Sequence, residues 1–141
     1  MKKFKIFFMI MTSAGVLFSG YMSSVKLFSN VCAFGETCPY IFGMPACYIG
    51  FLLFLSLLVV AKLFVFTKIP VKKISKSMLA ISLMGVTYSL YFAIPELPLI
   101  SENGFKVYAL GLPTCVLGSM FFIVIFIGSI IFYKKSKSEQ G

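Results

Sequence analysis

The sequence predicts an all-α membrane protein, a bundle of four transmembrane helices made of two helical hairpins that are parallel repeats of each other. Of its 141 residues, 60% are hydrophobic and only 12% are charged. Soluble domains are about half apolar and a quarter charged, so this chain has too few polar side chains to cover a water-exposed surface. Two further observations support the prediction: four long apolar stretches and an internal repeat of an eight-residue motif.

Four stretches are long enough, or nearly so, to cross a bilayer core of about 30 Å as helices. They are residues 4–25, 46–67, 77–94 and 112–133, which we assign to one domain spanning residues 1–141. The third stretch is the shortest, but a three-span protein would leave it unplaced. The first could instead be a signal peptide; we favour a retained helix, because its apolar run is long and no A-x-A-like cleavage site follows.

Lysine placement predicts the orientation of the helices. The net charge is +9, and eleven lysines fall on one side of the predicted spans, against Lys26 and Lys106 on the other. The positive-inside rule then puts both termini and the middle loop, residues 68–76, in the cytoplasm and all four cysteines at the extracytoplasmic face. We interpret the basic charge as the signal that sets the orientation of the helices, with anionic lipid in the bilayer as its partner. No basic surface is then left over for nucleic acid.

The repeated motif is GMPACYIG at residues 43–50 and GLPTCVLG at residues 111–118, 68 positions later. Both copies stand where an outer loop enters a helix that returns to the cytoplasm. The two halves are therefore expected to be parallel repeats, related by an axis along the membrane normal. The equivalent pairs are Tyr40 and Tyr108, Gly43 and Gly111, Pro45 and Pro113, Cys47 and Cys115, Gly50 and Gly118, and Phe54 and Phe122.

The motif suits the start of a helix. Proline is favoured at the first helical position, which makes Cys47 and Cys115 third. There the helix dipole lowers a thiol pKa and favours a reactive thiolate. Gly50 and Gly118 follow one turn later and leave room for a close neighbour or a flat ligand. A competing interpretation is that Cys47 and Cys115 are simply small apolar residues at a common type of helix start. The motif alone favours neither interpretation.

Cys32 and Cys38 lie in the first outer loop with five residues between them. In an oxidising compartment they can form a small disulfide ring, either as a modest structural staple or as an exchangeable bridge. Of the three possible pairings we favour Cys32–Cys38 with Cys47–Cys115, although sequence alone does not choose. Thiolate metal binding is less favoured, because C-x-x-C pairs and histidine are both missing.

Several function classes are excluded or disfavoured. No acidic residue lies inside a span, which argues against a proton- or cation-coupled exporter. The chain has no histidine, which excludes serine–histidine catalysis and histidine-ligated metals. The third span is rich in hydroxyls, among them Tyr88 and Tyr91, which could line an interior pocket or simply bond to neighbouring helices.

Four helices with both termini inside, an outer-loop cysteine pair and a thiol at the outer start of helix four resemble the vitamin K epoxide reductase and DsbB-like group. The stretch YIFGMPACYIGFLLF is similar to the second-helix entry of the bacterial vitamin K epoxide reductase homologues. The resemblance implies a bacterial or archaeal plasma membrane, an extracytoplasmic thioredoxin-like partner and a quinone bound among the helices. It makes Cys32 and Cys38 the shuttle pair and Cys115 the quinone-proximal thiol. The family's C-x-x-C at the start of helix four is absent here, and Cys47 is an extra thiol.

The hypothesis is therefore a membrane thiol–disulfide oxidoreductase that passes electrons from a thiol partner through Cys32–Cys38 and Cys47/Cys115 to a quinone. Gly50, Gly118, Tyr88 and Tyr91 are the candidate quinone-binding residues, and no metal site is predicted. Two alternatives stay open: a non-enzymatic membrane protein or complex subunit stapled by disulfides, and a thiolate metal carrier.

Overall fold

The computed structural model describes residues 2–29, 40–41, 44–103 and 114–140 of the chain. The elements are α1 (Lys2–Ser29), β1 (Tyr40–Ile41), β2 (Met44–Pro45), α2 (Ala46–Phe66), α3 (Val71–Asn103) and α4 (Thr114–Gln140). The two short strands pair antiparallel, with Tyr40 opposite Pro45. Each of the four helices contains a segment long and apolar enough to cross a membrane, so the chain is an integral membrane protein by length and composition.

The helices pack as two hairpins. Helix α1 packs mainly on α2 to form hairpin one, and α3 packs mainly on α4 to form hairpin two. The hairpins meet through α2 with α3 and, less extensively, through α1 with α4. Helices α2 and α4 thus lie diagonally across the bundle. The predicted four-helix bundle of two hairpins is confirmed.

The connection between the hairpins is shorter than predicted. Helix α3 begins at Val71, so the link covers residues 67–70 instead of 68–76. The carbonyl of Pro70 accepts the N–H groups of Lys73 and Ile74, at 2.9 and 3.4 Å, and this starts the helix. Lysine is a good helix former. The lysine cluster therefore marks where the apolar span begins and not where the helix begins.

The bundle core follows one line of residues on α2 and an equivalent line on α4. The positions recur at alternating intervals of three and four, the spacing that keeps a helix face against its neighbours. We call these two lines the axial seam. Its members, all buried, are Phe54, Leu57, Ala61 and Phe64 on α2, and Phe122, Ile125, Ser129 and Phe132 on α4.

Equivalent residues of the axial seam touch each other. The rings of Phe54 and Phe122 stack with their centroids 4.2 Å apart and an interplanar angle of 15°. Ten residues further along each helix, the rings of Phe64 and Phe132 meet at 5.0 Å. Because equivalent residues meet at two levels, α2 and α4 run in the same direction and the axis relating the hairpins runs along the helices. The parallel repeat predicted from the motif is present in the fold.

The repeat also includes α1 and α3, which the sequence comparison missed. Both helices carry the pattern [ST]-x-x-G-V-x-[FY]-S, here with an offset of 70 residues instead of 68. The four equivalent buried pairs are Phe8 and Met78, Thr12 and Ser82, Gly15 and Gly85, and Ser19 and Ser89. The change of offset by two residues between the helix pairs hides this match in an alignment made without gaps.

Candidate functional site

The four predicted redox cysteines fall at the edge of what the structure describes. Cys32 and Cys38 lie outside the described residues. Cys47 and Cys115 are the second residues of α2 and α4, and their side chains lie outside the described part of the chain. Each helix begins one residue after the proline that the motif predicts at the first helical position, which leaves both cysteine backbones in the first turn.

The register of α2 and α4 connects these two positions to the axial seam. Cys47 and Gly50 precede Phe54 at intervals of three and four residues, and Cys115 and Gly118 precede Phe122 in the same way. Residues seven apart lie two turns from each other on nearly the same helix face. The Cys-x-x-Gly of the repeated motif therefore continues the pattern of the axial seam toward the helix starts.

Gly50 and Gly118 are half-buried, and no described residue fills the space beside them. A Cβ built on either glycine would have no atom of the described residues within 4 Å, apart from its own helix backbone and chain neighbours. Gly15 and Gly85 differ sharply from them: a Cβ there would overlap the rings of Phe54 and Phe122, respectively. Gly15 and Gly85 are thus needed for packing, whereas no described residue fills the space beside the glycines of the repeated motif.

The two candidate tyrosines differ in exposure. Tyr88 is half-buried and its ring meets Phe92 edge-on, with centroids 5.1 Å apart. Tyr91 contacts the same ring at 5.2 Å but is 72% exposed on the outside of the bundle. Of the two, Tyr88 is the one whose position borders the bundle interior.

Several buried hydroxyls donate to backbone carbonyls of their own helices, whereas the buried Oγ of Ser136 has no hydrogen-bond partner among the described residues. Thr12 and Ser19 donate to the carbonyls of Phe8 and Gly15, at 2.6 and 2.7 Å. Ser129 donates to the carbonyl of Ile125 at 2.8 Å. Such i−4 bonds satisfy a hydroxyl inside an apolar bundle. These side chains therefore serve packing between helices and need no ligand to satisfy them.

The opposite end of the bundle is strongly basic. We call it the lysine-rich end; it comprises the start of α1, the end of α2, the link at residues 67–70, the start of α3 and the end of α4. Lys5 places its Nζ 5.1 Å from the ring centroid of Phe64, and Lys135 places its Nζ 5.7 Å from that of Phe4. Both are cation–π distances. The sequence does not distinguish these two lysines from the others, because the rings beneath them come from other helices.

The chain matches no protein-family model, no curated protein and no solved structure.

Proposed function

We propose that this protein is a membrane thiol–disulfide oxidoreductase, which relays electrons between an extracytoplasmic thiol partner and a membrane quinone. The observation that supports this most is the shared register of Cys47 and Cys115. They occupy the same position in two parallel, symmetry-related helices. Each stands seven residues before one member of the stacked pair Phe54 and Phe122.

The stacked rings favour an approach of the two cysteines to the same axis. Because seven residues complete two turns, Cys47 and Cys115 are expected on the faces of α2 and α4 that carry the rings, about 10 Å nearer the helix starts. A disulfide needs Cα atoms within about 7 Å. The helices must therefore converge beyond the ring pair, and Gly50 and Gly118 present no side chain that would hold them apart.

The proposed relay balances as two thiol–disulfide exchanges followed by a two-electron transfer. A dithiol on the partner attacks the Cys32–Cys38 disulfide, so the partner becomes a disulfide and Cys32 and Cys38 become thiols. These two thiols then reduce a Cys47–Cys115 disulfide and close their own bridge again. The resulting dithiol gives up two electrons and two protons. The quinone, when bound, supplies the acceptor for them.

The proposed quinone site lies beside the first turns of α2 and α4. No described residue fills the space beside Gly50 and Gly118, and a flat ring needs such space close to a thiol. Tyr88 is the candidate for a polar contact from α3. Tyr91, exposed on the outer surface, would act at an entrance from the lipid.

The proposal includes an orientation. The lysine-rich end faces the cytoplasm, with both termini, and the starts of α2 and α4 face the extracytoplasmic side of a bacterial or archaeal plasma membrane. A thioredoxin-like partner on that side would then reach Cys32 and Cys38. The support is the unequal placement of lysine, eleven residues against two.

Mass-tagged maleimide trapping of membranes tests the relay. In the Cys47→Ser and Cys115→Ser variants we expect electron transfer to stop at the same step, because either change removes the second disulfide. Cys32 and Cys38 should then accumulate as thiols. Ala46→Ser, a first-turn change next to Cys47, is the matched control and should cycle normally. Cysteines that stay oxidised under reductant would favour the stapled protein, and one variant without effect would contradict the paired relay. Stoichiometric Zn or Cu in purified protein would favour the carrier.

Labelling with a membrane-impermeant maleimide tests the orientation separately. In intact cells treated with reductant we expect Cys32 to be labelled. A cysteine introduced by Ser138→Cys, at the exposed end of α4, should react only in inverted vesicles. The reverse pattern would contradict the orientation and would remove the partner from the cysteine side.

A further inference from the structure

The lysine-rich end carries a charge imbalance that the described residues do not neutralise. Eleven lysines lie there, and Glu139 is the one acidic residue that the described chain places with them. No ion pair joins any of these lysines to a described residue. The apolar spans end near this level, so we expect the ammonium groups to lie at the depth of lipid headgroups. Charge of this density attracts anions, and phospholipid phosphate is the anion available at that depth.

Two of the lysines differ from the rest because aromatic rings hold them in place. Lys5 of α1 lies over Phe64 of α2, and Lys135 of α4 lies over Phe4 of α1. The ammonium group keeps N–H donors that point away from the ring. A lysine held in this way loses less side-chain freedom on binding an anion than a lysine that extends freely into water.

The rings beneath the two ammonium groups belong to a single cluster. Phe132 of the axial seam lies 5.3 Å from Phe4 and 5.0 Å from Phe64, between ring centroids. Phe132 and Phe64 are buried and Phe4 is half-buried. The two ammonium groups are therefore supported on a packed aromatic layer contributed by three helices, α1, α2 and α4.

We propose that Lys5 and Lys135 form a binding site for the phosphate of an anionic phospholipid at the lysine-rich end of the bundle. The ammonium groups donate to the phosphate oxygens, while the acyl chains lie along the exposed apolar faces of α1 and α4. The remaining lysines add long-range attraction. This site does not depend on the cysteines, so it stands apart from the redox proposal.

Native mass spectrometry of the full chain tests this site, with phosphatidylglycerol and phosphatidylcholine as the probes. We expect the unmodified protein to retain phosphatidylglycerol with a preference of roughly tenfold over phosphatidylcholine, as about 1.4 kcal/mol of added attraction gives. The Lys5→Gln/Lys135→Gln double variant should lose most of that preference. The matched control is Lys3→Gln/Lys134→Gln, which removes the same charge from exposed positions of the same helices, two residues before Lys5 and one residue before Lys135.

A third variant separates position from charge. Phe4→Leu keeps every lysine but removes the ring beneath Lys135, and should lower the preference by a factor of about three, because the released side chain must then lose its freedom on binding the phosphate. Equal losses in the two lysine double variants would overturn the site, because diffuse charge would then explain the binding. Equal retention of the two lipids would overturn it as well. Competition by inorganic phosphate at millimolar concentration would overturn the choice of a lipid as the ligand.

Discussion

Hairpin one and hairpin two use the same packing scheme with different side chains. In each, a phenylalanine of the second helix packs on a glycine of the first: Phe54 on Gly15, and Phe122 on Gly85. The two rings then stack on each other at the axis. The surrounding positions differ in polarity, since Ala61 in hairpin one corresponds to Ser129 in hairpin two. Hairpin two also buries Ser75 and Ser136 near the lysine-rich end.

The difference shows which features of the hairpin are essential to its geometry. The glycine–phenylalanine contact is present in both copies because a ring can reach the axis only where the neighbouring helix has no side chain. Ser129 and Ser75 are tolerated because a serine inside a helix can donate to its own backbone, whereas the Oγ of Ser136 has no hydrogen-bond partner among the described residues. Small residues let membrane helices approach closely, which is consistent with the more extensive packing of α3 on α4.

Removing a ring of the stacked pair should have the largest effect. Phe54→Ala and Phe122→Ala should each lower the free energy of unfolding by about 3–5 kcal/mol, because each empties space that is filled in the core. If the hairpins are equivalent, the two losses will agree within about 1 kcal/mol. Denaturant titration in mixed micelles, followed by circular dichroism, measures the effect.

The controls for the ring variants are Leu55→Ala and Ile123→Ala, at equivalent exposed positions one residue further along each helix. They should cost much less than the ring variants. The double ring variant should be less destabilised than the sum of the singles by about 0.5–1.5 kcal/mol, the interaction of the aromatic pair. Strict additivity would contradict a direct stack.

Filling the two packing glycines should have the next largest effect. Gly15→Ala and Gly85→Ala should each destabilise the bundle by about 1–3 kcal/mol, since the added methyl group overlaps a ring. Gly50→Ala and Gly118→Ala are the matched controls, where a methyl group enters open space. These should be neutral or stabilising by up to about 1 kcal/mol through helix propensity. Destabilisation of all four variants alike would contradict the distinction between packing and open glycines.

Exchanging alanine and serine at the equivalent positions 61 and 129 should have the smallest effect on stability. Ala61→Ser and Ser129→Ala should each change the free energy of unfolding by less than about 1 kcal/mol, because an intrahelical hydroxyl bond contributes little net stability. The same titration measures both. A large loss in Ser129→Ala alone would mean that this hydroxyl has a role beyond its bond to Ile125.

Much of the fold could be predicted from the sequence. Composition and four apolar stretches predict the membrane bundle, and the motif around Cys47 and Cys115 predicts the parallel repeat. Helix α3 begins before its predicted span, because lysine lowers hydropathy without breaking a helix. The second half of the repeat, in α1 and α3, was missed because its offset differs by two residues.

The candidate site was less predictable. The sequence singled out Gly50 and Gly118 and the tyrosines by residue type, but residue type does not give exposure: Tyr91 proves to lie on the outside. Lys5 and Lys135 could not be distinguished from other lysines, since the rings beneath them come from helices distant in sequence. The cysteine assignments remain predictions from the sequence.

The sequence by itself determined that this chain spans a membrane four times as two related hairpins. Hydropathy and local repeats are properties of neighbouring residues, and the bilayer leaves helices as the only way for such segments to satisfy their backbone. Tertiary structure decided which helices are diagonal and that Phe54 and Phe122 meet on the axis. It also decided which glycines pack against an aromatic ring and which lysines lie over one. These are contacts between residues far apart in the chain, and they depend on how helix faces fit together in three dimensions.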